Sequence, residues 1–393
     1  MTRCEIPLRP KTGVRLKPDP DYRFRMVDAP PLPPPSIEQP APQQVSYGLV
    51  TGRAARGTRF IAVATNGRVL VSKLLRGSRF SLRVTLPLGD LDLRVLTVAR
   101  DGRRSSHVVR DVYGLPSAAR PRVVRSRQDA ALSRDLRRLV APYDGTAGFY
   151  VQSLTDGSGA AWNAKARFPA ASTLKLAIAT AVLARHSGIP PPSSYVGRLL
   201  RQMIIPSGDA AANALEVWLA GSTSAGSQQV NALMRSIGMT DSIMYGGYEV
   251  SASLSASIPV RVDEQPAFGV GKHTTARDMA MLWRALWLAS GGRGSLRDAQ
   301  PGLTPSDARH LLWLAAHVRD TPKLDRSVGA RAGVSVLHKA GWISQARHDT
   351  GLVFWPGGVF VAGVMTYRSW GIGSSSDVLA GRIAARSLEH FRR

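Results

Sequence analysis

The chain has 393 residues, 44% of them hydrophobic and 20% charged, enough for two or three domains with their own cores. No run of 18 apolar residues is present, so no transmembrane helix is expected, and a single cysteine, Cys4, excludes an internal disulfide and cysteine-based zinc or iron–sulfur sites. The net charge of +25 has two readings: attraction to an anionic surface or polymer, or an arginine-rich composition spread over solvated faces.

Nothing in the sequence resembles a recognition helix, a zinc finger or an aromatic-plus-basic strand, so specific nucleic-acid binding is not expected. The N-terminal stretch "MTRCEIPLRPKTGVRLKPDP" lacks the apolar core of a secretory signal. Export by that route is therefore not expected of this chain, unless it starts after the signal.

Residues 1–45 carry 11 of the 26 prolines, a composition that favours an extended tail or tether. Residues 46–118 read as short strands. "RFIAVAT" and "RVLVSKLL" flank Asn66-Gly67, the preferred two-residue hairpin turn, and "RFSLRVTLP", "LDLRVLTVAR" and "RRSSHVVRDVYG" follow. This spacing predicts a small β-sandwich, similar to the immunoglobulin-like accessory domains of bacterial surface proteins.

From residue 124 to the C-terminus the pattern is mixed. The helix "SRQDAALSRDLRRLVA" precedes a strand pair around Asp156-Gly157, and a long helical run follows. The strands "VSVLHKAGW", "DTGLVFWPGG" and "VFVAGVMTY" come next, with a last helix from about 375. Strands at both ends with helices between predict an α+β domain whose antiparallel sheet is completed by both termini.

Three short segments carry candidate chemistry. In "RFPAASTLKLAIATAVLA", Ser172 and Lys175 stand three apart, on one face of a helix. Serine needs an adjacent base, and the apolar run after Lys175 would bury the lysine and favour its neutral amine. In "IPSGDAAANALEVWLAG", Ser207 and Asp209 open a second helix; in "VLHKAGWIS", Lys339 and Gly341 lie on a strand. Separately these two read as a helix cap and a snorkelling edge lysine. "GVGKHTT" lacks the phosphate-loop spacing, and the eight histidines show no metal pattern, so neither metal nor other cofactor is expected.

In this order the three segments resemble the Ser-x-x-Lys, Ser-Asp-Asn and Lys-Thr-Gly motifs of the penicillin-recognising serine enzymes, class A β-lactamases in particular. "RFPAASTLK", "TTARDMAMLWRAL" and "DTGLVFWPGGVFVAGVMTY" extend the likeness over roughly 130–393. The resemblance implies a sheet flanked by helices with a helical subdomain. It also implies an extracytoplasmic enzyme that forms an acyl-enzyme with a β-lactam or a cell-wall peptide. By motif, Ser172 would be the nucleophile, Lys175 its proton acceptor, Ser207 the relay to the leaving nitrogen, and Lys339 the cation holding Ser207 and a substrate carboxylate. Gly341 would let substrate lie against the strand, and the backbone N–H groups of Ser172 and Trp342 would form the oxyanion hole.

The pattern departs from the family in three places. Asp209 replaces an amide and could pair with Lys175; Ala340 replaces a hydroxyl residue; and no Glu-x-x-Leu-Asn loop follows. Glu249 is the one glutamate near the expected distance, read either as the deacylating base or as an exposed loop carboxylate. Positive charge for a substrate carboxylate could come from Arg347 or His348, unless both are plain loop residues. β-Lactam hydrolysis is the first expectation. A D,D-peptidase-type enzyme, or a catalytically lapsed wall- or partner-binding domain, is the alternative.

Overall fold

The computed structural model describes residues 30–186, 188–248, 271–320 and 322–393. Eight strands come first: β1 (Ser36–Gln39), β2 (Val45–Ser46), β3 (Leu49–Arg53), β4 (Thr58–Thr65), β5 (Arg68–Leu74), β6 (Arg79–Arg83), β7 (Gly89–Ala99) and β8 (Arg104–Gly114). They form a three-stranded sheet, β1-β3-β6, and a five-stranded sheet, β2-β8-β7-β4-β5. Alternate residues such as Val50, Ile61, Leu82, Leu93 and Val109 make one apolar core, as the period of two in a half-buried strand requires. Asn66 and Gly67 both take positive φ, the conformation the two-residue hairpin demands.

Residues 36–45, expected as part of the proline-rich tail, instead hold β1 and a strut to the second domain. The Arg309 guanidinium donates to Gln44 Oε1 at 2.9 Å, and His310 Nδ1 lies 2.8 Å from the Gln43 carbonyl. These buried polar partners and the edge pairing of β1 with β3 outweigh the local preference of proline-rich chain for extended, solvated structure. Val45, Tyr47, Leu115 and Ala119 at the sandwich's base lie in the same core as the helices beyond.

The second domain begins with β9 (Arg127–Gln128), α1 (Ala130–Val140), β10 (Thr146–Ser153), β11 (Ser158–Trp162) and β12 (Phe168–Pro169). Next come α2 (Lys175–Arg185), α3 (Tyr195–Ile204), α4 (Asp209–Ala220), α5 (Thr223–Ser236) and β13 (His273–Thr274). The chain then runs through α6 (Ala276–Ser290), α7 (Ser295–Ala299), α8 (Pro305–Ala316), β14 (Ser335–Ile343), β15 (Ala346–Trp355), β16 (Gly358–Tyr367) and α9 (Ser375–Phe391). The main sheet has the order β14-β15-β16-β10-β11-β9, so both ends of the domain complete it, as the sequence predicts. Leu132, Leu136, Ile383 and Leu388 of α1 and α9 cover one face; the remaining helices build the larger core on the other.

Local sequence accounts for the helices that position the site. Lys175 to Leu183 of α2 are all buried, as an alanine-rich segment apolar on every side must be. α8 opens with a capping box between Thr304 and Asp307 and with Pro305 in its first turn. α4 stops at Gly221, whose φ of 84° is the left-handed C-terminal cap. Among the described residues no helix is long and apolar enough to cross a membrane.

Candidate active site

The sheet's edge strand β14, the start of α2 and the start of α4 meet at Ser172. The serine sits in a 3-10 turn, Ala171–Leu174, rather than in the first turn of the α-helix, which starts at Lys175. The turn is entered through Ala171 at φ 45°, and the segment before α4 through Ser207 at φ 64°. A left-handed conformation at a residue with a Cβ costs on the order of 1–3 kcal/mol and needs its surroundings to hold it. Both instances flank the reacting groups.

Lys175 is fully buried, and its Nζ donates to Ser172 Oγ at 3.0 Å, to the Ser207 carbonyl at 2.5 Å and to Asp209 Oδ1 at 2.5 Å. Lys339 Nζ donates to Ser207 Oγ at 2.8 Å. Four of the sequence-predicted residues therefore form one connected chain, Ser172–Lys175–Ser207–Lys339. The plain capping role of Ser207 and Asp209 is not what the fold uses: Gly208 is the N-cap of α4, and no side chain caps it. Both side chains turn toward Lys175 instead.

The electrostatics follow from burial. Removing Lys175 from water pulls its ammonium below the ordinary lysine range, while the Asp209 carboxylate opposes that pull. Lys339 is pulled down to about 7, first by burial and then by the charge on Lys175. Two lysines in one buried site cannot both keep a proton cheaply, and a neutral amine beside a serine hydroxyl is a general base.

Gly341 lies where the expected close approach needs it. A Cβ there would stand 2.7 Å from the Ser172 backbone nitrogen and 2.9 Å from that of Thr173. Gly341→Ala should push β14 off the nucleophile and cut acylation on the order of 10²-fold with the fold intact, read by stopped-flow acylation beside a thermal melt. Trp342 follows on the same edge strand with its side chain 61% exposed.

Arg347 and His348 do not offer charge to a substrate. Arg347 is bound to Asp377 at 2.8 Å. His348 is buried between the Pro169 carbonyl and the Thr366 N–H, and burial holds its imidazole down at about 4. Both belong to the well-paired strand β15, so the bond geometry of the sheet decides their partners. Glu249 lies outside the described residues.

Two residues were not singled out by the sequence. The ring of Tyr248 lies 4.7 Å from Lys175 Nζ, and Lys272 Nζ lies 4.6 Å from the same ring. A usable signal for Lys272 exists: the chain has only 8 lysines among 52 basic residues. Lys175 and Lys339 sit at the centre itself, while Lys272 and Lys323 are electrostatically coupled to them. No group of three or more His, Cys, Asp or Glu among the described residues could hold a metal.

A helical subdomain on an antiparallel sheet, with a serine–lysine pair at their junction, defines the class of penicillin-recognising serine enzymes. The chain belongs to the beta-lactamase enzyme family, whose sequence model matches residues 131–188 and 186–391. Among solved structures it is similar to PBP-A, at 20% identity over 68% of this chain and 98% of that one, with a TM-score of 0.54. It is also similar to a PBP-A mutant described as an acyl-enzyme complex with penicillin G, at 21% identity over 68% and 98%, TM-score 0.54. An ancestral class A beta-lactamase matches at 22% identity over 66% of this chain and 100% of that one, TM-score 0.53. No curated protein matches the chain.

Proposed function

We propose that this protein is a serine hydrolase that opens the amide of a β-lactam by forming an acyl-enzyme on Ser172. The observation that carries the reading is the 3.0 Å contact between Ser172 Oγ and a fully buried Lys175 Nζ, continued through Ser207 to Lys339. Ser172 Oγ attacks the carbonyl carbon and its proton passes to neutral Lys175. The oxygen that becomes negative is held by the backbone N–H groups of Ser172 and Trp342, each such donor being worth about 3 kcal/mol of barrier. Ser207 gives its proton to the leaving nitrogen as the C–N bond breaks and takes in exchange the proton that Lys175 received, while Lys339 keeps that hydroxyl oriented. Water then cleaves the ester and frees Ser172, with Glu249 as the candidate base.

The intact quartet supports a working centre over a lapsed binding domain. Penicillin G held as an acyl-enzyme by a mutant of the structurally similar PBP-A supports the choice of probe. A second reading, a D,D-peptidase-type enzyme on cell-wall peptide, draws on Tyr248. That residue presents an aromatic ring rather than a carboxylate to Lys175, while Asp209 is paired to the lysine and Glu216 is bonded to Ser227. The family resemblance supports work outside the cytoplasm, with the β-sandwich as an accessory domain and the positive charge drawing the protein to an anionic surface.

Incubation with a labelled penicillin, followed by intact mass and product release, tests the proposal. A covalent adduct in the wild type and none in Ser172→Ala is the expected result. Fast release marks the β-lactamase and a long-lived adduct the peptidase. A wild type that forms no adduct overturns the penicillin chemistry.

A further inference from the structure

A third lysine faces the site and has no place in the acylation steps. Lys272 precedes β13 and is half-buried; its Nζ donates to the Gly247 carbonyl at 2.6 Å and lies 3.4 Å from that of Tyr245. Both lysines lie against the Tyr248 ring, the two nitrogens 4.6 Å and 4.7 Å from its centre. The ammonium groups are therefore within about 9 Å of each other, inside the range where charges in a partly buried site act on one another.

Behind the ring stands Glu216, wholly buried on α4 one and two turns beyond Asn213 and Asp209. Ser227 Oγ lies 2.7 Å from its Oε1 and 3.0 Å from the Gly246 carbonyl, sharing its one proton between them, while Oε2 has no hydrogen-bond partner among the described residues. Asn213 Oδ1 accepts the Tyr248 N–H at 2.6 Å. Asn213 of α4 and Ser227 of α5 thus pin the segment 245–248 to the two helices.

The groups that act on Lys272 are Glu216 and Asp209 of α4, Lys175 of α2 and the Tyr248 ring. Those that act on Lys175 are Asp209 and Asp320, with the Tyr248 ring beside it, and the charge on Lys175 in turn lowers both Lys339 and Lys272. Burial pushes the Glu216 carboxyl up to about 7, so its charge appears only around neutral pH.

We propose that Lys272 is a positioning residue of the serine–lysine centre: its positive charge, moderated by Glu216, sets the pH at which Lys175 can act as the base. The proposal rests on the reading of Lys175 as the proton acceptor. A cation near Lys175 makes the lysine's protonated form less favourable, so the neutral amine is reached at lower pH for as long as Lys272, itself held below the ordinary lysine range by burial, keeps its proton. Glu216, once ionised, offsets part of that field.

The signs are opposite for the two partners, which makes the test discriminating. Acylation by labelled penicillin is followed against pH in the full chain for the wild type, Lys272→Met, Lys272→Arg and Glu216→Gln, beside thermal melts. Lys272→Met should move the midpoint up by about one pH unit, and Lys272→Arg should leave it near the wild-type value. Glu216→Gln keeps an acceptor for Ser227, removes the negative charge, and should move the midpoint down. A merely structural role would lower the rate at every pH and leave the midpoints alone, which overturns the proposal. So does a Glu216→Gln midpoint that rises, a result that decides the matter even if Lys272→Met fails to fold. Absence of adduct in the wild type overturns the penicillin reading and this one together; adduct with unmoved midpoints overturns this one alone.

Discussion

Lys175→Ala is expected to slow acylation of Ser172 on the order of 10³-fold, the range that a positioned proton acceptor supplies. The hydroxyl is left without a base within reach, because Lys339 is engaged with Ser207 rather than with Ser172. The helix should tolerate the change. Position 175 opens α2 inside an alanine-rich run, and alanine is the best helix former. The Asp209 side chain, 48% exposed, can be taken over by water. Lys175→Arg sharpens the experiment by keeping the charge while removing the capacity to be neutral. Both variants slow, with melts near wild type, is the outcome for a general base. A rate kept by arginine would mean that Lys175 serves only as a charge.

Asp209→Asn is expected to do the reverse at low pH. The carboxylate stands 2.5 Å from Lys175 Nζ and stabilises its ammonium. An opposite charge at that distance moves a titration by about 1–3 units, and exposure of the aspartate puts the effect near the lower end. Removing the charge makes deprotonation of Lys175 easier, so the pH midpoint of acylation should fall by about one unit. Well below the wild-type midpoint the variant should then acylate about 10-fold faster, while above it the two rates converge. Asparagine still offers an oxygen to Lys175, so the contact is kept and only its charge is lost. A midpoint that stays or rises would remove Asp209 as the brake on this lysine. The family's own motif carries an amide at this place, and this chain therefore holds its base in a more protonated state than that pattern would.

Both experiments turn on residues that were visible in the sequence, but the visibility was uneven. Ser172 and Lys175 were legible because their spacing is helical and the following run is apolar. That both ends of the domain complete one sheet was legible from the strand segments within 335–367 and the strand pair near 150. Ser207 and Asp209, read by themselves, look like a cap before an alanine-rich segment, and only the resemblance directed them toward Lys175. In the fold, the left-handed φ at Ser207 swings the pair toward Lys175. Tyr248 carried no pattern at all, and Lys272 only the rarity of lysine in this chain. Between them in sequence lie 23 residues, and no periodicity relates two sides of one ring.

Arg347 and His348 show the same limit from the other side. As letters on a turn they could serve a substrate; paired in β15, one is tied to Asp377 and the other to the Pro169 carbonyl. Residues 36–45 read as tail because proline dominates the local composition, yet a glutamine pair and a short edge strand anchor them.

The sequence by itself determined the element types and the proximity of Ser172 and Lys175, because hydrophobic period and i,i+3 spacing are properties of the local chain. Tertiary structure alone decided the charge on that lysine. Lys175 is set by what packs around it: burial in the core lowers it, and Asp209 and Asp320, brought in by the fold, oppose that pull. Coulomb forces and desolvation depend on distance through space and on exclusion of water, and neither is written in the order of the residues.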